Sequence, residues 1–183
     1  MNSELLKLSY QKEHRPKIEE VIPLIITDDK RHTALGFVAW LRENKMSSSW
    51  AGYHNAWNSN CKGKNICKIE LGKNELDENN WSITLILRHF DDYENIIIEE
   101  GLQDLIWSML IKCIHHQKKG ECEAKCRTHN RDLSRTVLGR YFEELCRNSN
   151  VTRFRISTGN PNKETVAKIK KLILLEQSAR KTI

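Results

Sequence analysis

Cysteine and histidine residues concentrate in one polar stretch of the chain, where they could bind a metal ion. The stretch contains Cys113, His115, His116, Cys122, Cys126 and His129, and Cys146 follows it. Thiolate and imidazole are the ligands that tetrahedral zinc prefers, and a structural metal stabilises most where a polar loop has few apolar residues to bury. The sequence therefore predicts a structural zinc site that joins two helices across the loop. Its ligands would be Cys113, Cys122, Cys126 and Cys146.

The spacing of these residues leaves two other interpretations open. Zinc knuckles usually contain a C-x-x-C pair, whereas the closest pair here is Cys122-x-x-x-Cys126. Cys113 and Cys146 fall on the apolar faces of predicted helices, and without a metal they would be buried thiols that pack as small hydrophobes. Lysine and arginine residues flank Cys122 and Cys126, and nearby cations raise the thiolate fraction of a cysteine. A reactive thiol is the third interpretation, although the sequence shows no residue arranged to orient such a nucleophile.

Positive charge is concentrated in the last third of the chain. Residues 121–183 hold 14 Lys and Arg against 7 Asp and Glu, a net charge of +7, whereas the whole chain has +6. Arginine offers a planar fork that binds phosphate, so these residues could contact a nucleic acid. The arginines of this hypothesis are Arg127, Arg131, Arg135, Arg140, Arg147, Arg153 and Arg155. A solvated basic surface is the favoured interpretation, because no helix-turn-helix pattern occurs and no tryptophan interleaves with these arginines.

The size and composition of the chain indicate one domain. Its 183 residues, 39% hydrophobic and 30% charged, can bury a core without disulfides. No stretch approaches the roughly 18 apolar residues of a membrane span, and the N-terminus lacks the apolar region of a signal peptide. We therefore expect a cytoplasmic protein with reduced cysteines, in which residues 1–30 dock on an α+β core of residues 31–183. The sequence does not predict an oligomeric state, and it contains no glycine-rich phosphate loop.

The first half of the chain predicts a helix followed by a strand cluster. Apolar residues spaced as in a helix predict one over residues 31–45, and the following Ser47 to Ser49 would end it. Alternating residues predict a hairpin on either side of Lys62 to Asn65 and a third strand over residues 81–88. Pro23 argues against a long helix or a central strand in residues 21–26.

The second half predicts three helices and an edge strand. Apolar positions from Ile98 to Cys113 fall on one helical stripe from about residue 94, and a second stripe includes Leu138, Phe142 and Cys146. Residues 154–156 predict an edge strand, and Asn160-Pro161 predicts the start of the last helix. Helices before and after a strand cluster indicate an α+β fold, with a small antiparallel sheet of about three to four strands covered by helices.

Aromatic residues concentrate around the predicted hairpin and favour a hydrophobic core. They are Trp40, Trp50, Tyr53, Trp57 and Trp81. An exposed member of this set could instead stack on a planar ligand in a pocket that His54 and His89 could line, and Lys62, Lys64 and Lys68 would favour an anionic one.

Three segments resemble a group of small uncharacterised proteins common in clostridia and their relatives. The segments are residues 34–46 (ALGFVAWLRENKM), residues 61–64 (CKGK) and residues 136–139 (TVLG) with Phe142 and Cys146. These proteins carry a similar helix, a Trp-rich hairpin, several cysteines in one stretch and a C-terminal helix introduced by Asn-Pro. The resemblance extends from about residue 33 onward and implies an α+β fold around a small antiparallel sheet, without implying an activity.

These observations lead to three functional hypotheses. The first is a non-enzymatic domain with a structural zinc and a surface for a small ligand or protein near the Trp hairpin. The second is a nucleic-acid-binding protein that uses the Arg-rich last third. The third is a thiol-dependent enzyme or redox sensor centred on Cys122 and Cys126.

Overall fold

The computed structural model describes residues 4–72, 79–110, 134–143, 145 and 154–180. These residues form six α-helices, one 3-10 turn (Phe90–Tyr93) and seven strands. The helices are α1 (Leu8–His14), α2 (Ile18–Ile25), α3 (Asp28–Glu43), α4 (Glu94–Glu99), α5 (Gln103–Met109) and α6 (Lys163–Ala179). The strands are β1 (Ser47–Trp50), β2 (Ala56–Cys61), β3 (Lys64–Leu71), β4 (Trp81–Leu87), β5 (Arg135–Val137), β6 (Arg140–Phe142) and β7 (Phe154–Gly159). No described helix is both long and apolar enough to cross a membrane. The predicted α+β fold is confirmed.

The main sheet has five antiparallel strands in the order β1-β2-β3-β4-β7. It is larger than the predicted three to four strands because Ser47 to Trp50, predicted to end a helix, pairs with β2 as an edge strand. The predicted hairpin, third strand and edge strand at residue 154 are confirmed. Strands β5 and β6 form a separate two-stranded hairpin.

The two faces of the main sheet differ in polarity because successive strand residues point to opposite sides. Trp57, Ile69 and Ile83 lie in register across three strands and are fully buried. The neighbouring row on the other face is polar. It consists of Ser49, Asn58, Lys68, Thr84 and Ser157. The apolar face joins the buried helix residues in one hydrophobic core, which is the usual arrangement of an antiparallel sheet with one solvated face.

Helix α3 covers the apolar face with the stripe that the sequence predicts. Ala34, Phe37, Val38 and Leu41 are all buried, and the Phe37 ring centre lies 6.3 Å from that of Trp81. The helix begins at Asp28 and ends at Glu43, close to the predicted bounds of residues 31–45.

Residues 21–26 form neither a long helix nor a strand, as Pro23 predicts, although Pro23 itself lies inside the eight-residue helix α2. Proline removes one backbone hydrogen bond from a helix, but Ile18, Val21 and Ile22 are buried on the same helix, and their burial offsets that loss. Two contacts fix this N-terminal segment on the sheet. Gln11 and Asn55 exchange two hydrogen bonds of 2.6 and 2.9 Å, and the indole N–H of Trp57 donates to the carbonyl of Pro16 at 2.9 Å.

The prediction of one long helix from about residue 94 to Cys113 is wrong, because the helix is interrupted at Gly101. Gly101 has φ +64°, and its N–H and that of Leu102 donate to the carbonyls of Ile98 and Ile97. This is the glycine-terminated end that many helices adopt. Helix α5 follows and ends at Met109, and the next residue, Leu110, forms an isolated antiparallel bridge with Ile156. Cys113 lies outside the described residues.

The helix predicted through Leu138, Phe142 and Cys146 is replaced by the β5–β6 hairpin. Leu138 and Gly139 form its turn with φ of +49° and +76°, as two-residue hairpin turns require. Leucine rarely adopts this conformation, and here the buried position of its side chain compensates. The last helix, α6, begins at Lys163 with Asn162 as its N-cap, two residues later than Asn160-Pro161 indicates.

Glu176 of α6 is a fully buried carboxylate that accepts four hydrogen bonds and joins its helix to the end of β4 and to the 3-10 turn. Its Oε2 accepts hydrogen bonds from the backbone N–H groups of Arg88 and His89 and from the hydroxyl of Tyr93, at 2.9 to 3.1 Å. Its Oε1 accepts from Nε of Arg180 at 2.8 Å. Burial and the neighbouring Glu176 carboxylate raise the pKa of Tyr93, so its hydroxyl stays protonated and donates.

We expect Glu176→Ala to lower the free energy of unfolding by about 3–5 kcal/mol, because it leaves the buried Arg180 without a counter-charge. Urea denaturation followed by far-UV circular dichroism measures this change. Glu164→Ala is the matched control, since it removes an exposed Glu164–Lys168 pair at the other end of the same helix. A similar loss in both variants would contradict the role of the buried network.

Candidate functional site

A groove of about 630 Å³ lies between helix α5 and the β5–β6 hairpin. Seven residues line it: Asp104, Trp107, Ser108, Arg140, Tyr141, Phe142 and Glu143. Its volume is within the range of roughly 300–1,000 Å³ that small-ligand sites have. We call it the Trp107–Arg140 groove.

The guanidinium of Arg140 lies over two aromatic rings of the groove. Its central carbon is 5.5 Å from the ring centre of Trp107 and 5.3 Å from that of Phe142. The indole N–H of Trp107 donates to the carbonyl of Val137 at 2.9 Å, which fixes the ring against the hairpin. Cations are attracted to the faces of such rings within about 6 Å. The rings therefore hold Arg140 in place while its side chain has no hydrogen-bond or ion-pair partner among the described residues.

The rim of the groove combines an exposed aromatic ring with two carboxylates. Tyr141 is 59% exposed, the largest exposure among the described large hydrophobic side chains. Asp104 and Glu143 are also exposed. The groove thus presents a flat ring, a cation whose donors are unpaired among the described residues, and two carboxylate acceptors, a combination suited to a polar planar ligand.

The hairpin is anchored to the main fold by charge as well as by Trp107. The guanidinium of Arg135 in β5 donates to the carboxylate of Asp91, in the 3-10 turn, at 2.8 Å. Asp91 precedes Tyr93, the residue that binds the buried Glu176, by two positions. The position of the groove therefore follows from the buried network.

The four predicted zinc ligands, Cys113, Cys122, Cys126 and Cys146, lie outside the described residues. The same holds for His115, His116 and His129 and for Arg127, Arg131, Arg147 and Arg153. Among the residues that the structure describes, no three His, Cys, Asp or Glu side chains are grouped to hold a metal ion. The zinc site stays a prediction from the sequence.

The two described cysteines are buried thiols. Cys61 is 2% exposed and Cys67 is fully buried, and neither forms a disulfide. Burial raises the pKa of the Cys67 thiol from 9.0 to about 12, although a hydrogen bond with Ser59 opposes the effect. Cys67 is therefore protonated at neutral pH and is not a nucleophile.

The aromatic hairpin belongs to the core and does not present an aromatic cage. Trp57 is fully buried, Trp81 is 2% exposed, and Trp40 and Trp50 pack against the core. Tyr53 is exposed, but the ammonium of Lys68 lies 5.3 Å from its ring centre.

Lys68, His54 and His89 near this hairpin have partners within the fold. Lys68 also forms an ion pair of 2.9 Å with Glu70. His54 lies 2.6 Å from the carbonyl of Leu6, and His89 lies 3.3 Å from the carboxylate of Asp92. Lys62 and Lys64 are exposed, so attraction of an anion by these two lysines stays a prediction.

Comparisons with protein-family models, with curated proteins and with solved structures give no match. The function must therefore be argued from the groove and the sequence around it.

Sequence reasoning missed Trp107 and its contact with Arg140. The two residues are 33 positions apart, and Trp107 precedes the Arg-rich third, so no local pattern connects them. The usable signal is Gly139, between the β-formers Thr136, Val137, Tyr141 and Phe142, which is typical of a hairpin turn.

We expect Cys61 and Cys67 to resist iodoacetamide in the folded protein at pH 8 and to react after unfolding in urea. Mass spectrometry of peptides from both samples checks this.

The free energy of unfolding should also fall as the pH rises from 9 towards 12, because the unfolded chain releases the Cys67 proton above about 9 while the folded chain retains it to about 12. Cys67→Ala should reduce that dependence. Labelling of native Cys67 at pH 8 would contradict its burial.

Proposed function

We propose that this protein binds single-stranded nucleic acid in the Trp107–Arg140 groove. The observation that carries the proposal is the guanidinium of Arg140, which lies over two rings and has no hydrogen-bond partner among the described residues, beside the exposed ring of Tyr141. The last third of the chain supplies positive charge, on which the nucleic-acid hypothesis from the sequence rests. The groove adds aromatic rings beside Arg140, which the sequence alone does not reveal.

The chemistry of single strands matches these groups. Unpaired bases expose their faces, and one base stacked on an aromatic side chain contributes about 1–3 kcal/mol to binding. A guanidinium beside such a ring can donate to a phosphate or to a base edge. A duplex would not offer its base faces, so a groove with an exposed Tyr141 favours a single strand.

The sequence adjoining the groove is basic, which favours an anionic polymer over a neutral ligand. Residues 111–133 contain 6 Lys and Arg against 3 Asp and Glu, and residues 146–153 contain two Arg and no acidic residue. Trp107 lies four positions before the first of these segments and Glu143 three before the second. Counterion release from a strand bound by such residues would make affinity fall steeply with salt.

We also propose that Cys113, Cys122, Cys126 and Cys146 bind one structural zinc. The bridge between Leu110 and Ile156 supports this proposal, because segment 111–133 starts directly after Leu110 and segment 146–153 ends three positions before Ile156. Cys113 can lie at most about 11 Å from Leu110 along the chain. Cys146 follows Leu145, which is buried in the core against which Leu110 packs. A zinc ion would then hold both basic segments beside the groove.

We expect Arg140→Ala and Tyr141→Ala each to weaken binding of a fluorescent 12-nucleotide single strand at least about fivefold, or about 1 kcal/mol. Fluorescence anisotropy at 50 and 150 mM salt measures both affinity and its salt dependence. Arg140→Lys keeps the charge but loses the planar group, so it should recover only part of the loss.

Tyr53→Ala is the matched control, because Tyr53 is an exposed tyrosine away from the groove. Its affinity should equal that of the unmodified protein. Equal losses of affinity in Tyr53→Ala and Tyr141→Ala would show that the strand does not bind specifically in the groove. No binding of any strand at 50 mM salt would reject the proposal.

For zinc, we expect about one metal ion per chain in tag-free protein purified under reducing conditions without chelator. Inductively coupled plasma mass spectrometry measures the content. Cys122→Ser and Cys126→Ser should lose the metal, whereas Cys61→Ser, a change at a buried thiol of the sheet, should retain it. Metal-free protein would contradict the site and leave Cys113 and Cys146 as candidates for core thiols.

A further inference from the structure

We infer that the Trp107–Arg140 groove is selective for guanine, and this inference rests on the proposed function. It follows from the two carboxylates that stand beside Arg140. Asp104 and Glu143 line the same groove, and neither has an ion-pair or hydrogen-bond partner for its side chain among the described residues. A groove that only attracted phosphates would not contain two free carboxylates, because each of them repels an anion.

Nearby carboxylates of the same fold do form pairs. Asp91 binds Arg135, and Glu100 binds Lys171. Asp104 and Glu143, in contrast, have no such partner within the described part of the chain, although Arg140 lines the same groove, because that guanidinium lies over Trp107 and Phe142. The groove therefore contains both hydrogen-bond donors and hydrogen-bond acceptors that a flat ligand could use.

Guanine has the complementary arrangement on its two edges. One edge presents the acceptors O6 and N7, which the fork of an arginine binds in a bidentate manner. The Watson–Crick edge presents the adjacent donors N1–H and N2–H₂, which the two oxygens of one carboxylate can accept. Adenine offers N7 beside the N6 donor, cytosine offers one donor group beside two acceptors, and uracil offers one donor between two acceptors. Guanine alone fits both a guanidinium and a carboxylate with paired hydrogen bonds.

A cationic ligand is the competing occupant for two carboxylates and aromatic rings. The guanidinium of Arg140 already lies over the rings of Trp107 and Phe142, so a second cation would meet a like charge at the position where the rings attract it. The charge arrangement thus favours a neutral base that carries both donors and acceptors over a basic peptide.

The test uses four uridine 12-mers that differ only in one central base, G, A, C or U, and fluorescence anisotropy with the full chain. We expect the G strand to bind at least about fivefold more tightly than the other three, since one bidentate pair discriminates by about 1 kcal/mol or more. Asp104→Asn and Glu143→Gln keep the size of the side chain but replace one acceptor oxygen by an amide donor and remove the charge. At least one of them should lower the ratio of G to U affinity towards one.

Glu99→Gln is the matched control for charge, because Glu99 is an exposed carboxylate on α4 that does not line the groove. It should leave the G-to-U ratio unchanged. Equal affinity for all four strands would overturn the guanine inference and leave the proposed function standing. No binding of any strand would overturn both.

Two further ligands, a free guanine nucleotide and a basic peptide, test whether the groove binds something other than a single strand. Guanosine monophosphate that binds as tightly as the G strand would support guanine recognition while overturning the single strand as the occupant. An oligoarginine peptide that binds more tightly than the G strand, and loses affinity in Asp104→Asn, would overturn the inference in favour of a basic protein partner.

Discussion

The fold depends on one buried carboxylate. An ionised carboxylate removed from water costs several kcal/mol unless each oxygen has partners, and Glu176 has two backbone N–H groups, one tyrosine hydroxyl and one guanidinium. Helix α6 therefore fixes where β4 ends and where the 3-10 turn begins. That turn leads into α4 and α5, and its Asp91 binds Arg135 of the hairpin. Both walls of the Trp107–Arg140 groove are thus positioned from the same buried site.

The sequence predicts best the elements whose burial is decided locally. Helix α3 and the strands of the meander each bury one regular face, so periodicity alone predicts Phe37, Ile69 and Ile83 as core residues. The failures share a different property. The apolar residues from Ile98 to Cys113 do follow a helical spacing, yet the helix ends at Gly101, whose positive φ cannot be read from apolar spacing.

The candidate site was less predictable because its contacts are distant along the chain. The predicted set of arginines includes Arg140, but it includes six others as well, and nothing local distinguishes Arg140 from them. What distinguishes Arg140 is the turn at Leu138 and Gly139, which makes residues 135–142 a hairpin and brings Arg140 over Trp107. A left-handed leucine is rare enough that the sequence favours the helical alternative, and only packing of Leu138 in the core decides against it.

The aromatic residues divide between two roles according to their burial. Trp57 and Trp81 are buried in the core, where their rings pack with apolar neighbours on the covered face of the sheet. Trp107 is only partly buried, and its indole N–H is tied to the hairpin, so one ring face is left for a cation. An exposed ion pair of Arg140 with Asp104 or Glu143 would contribute about 1 kcal/mol or less, which is comparable to the ring contact it would replace. The ion pair and the ring contact therefore stabilise the fold to a similar extent. Leaving Asp104 and Glu143 without a partner among the described residues costs little stability, and their oxygens can then accept hydrogen bonds from a ligand.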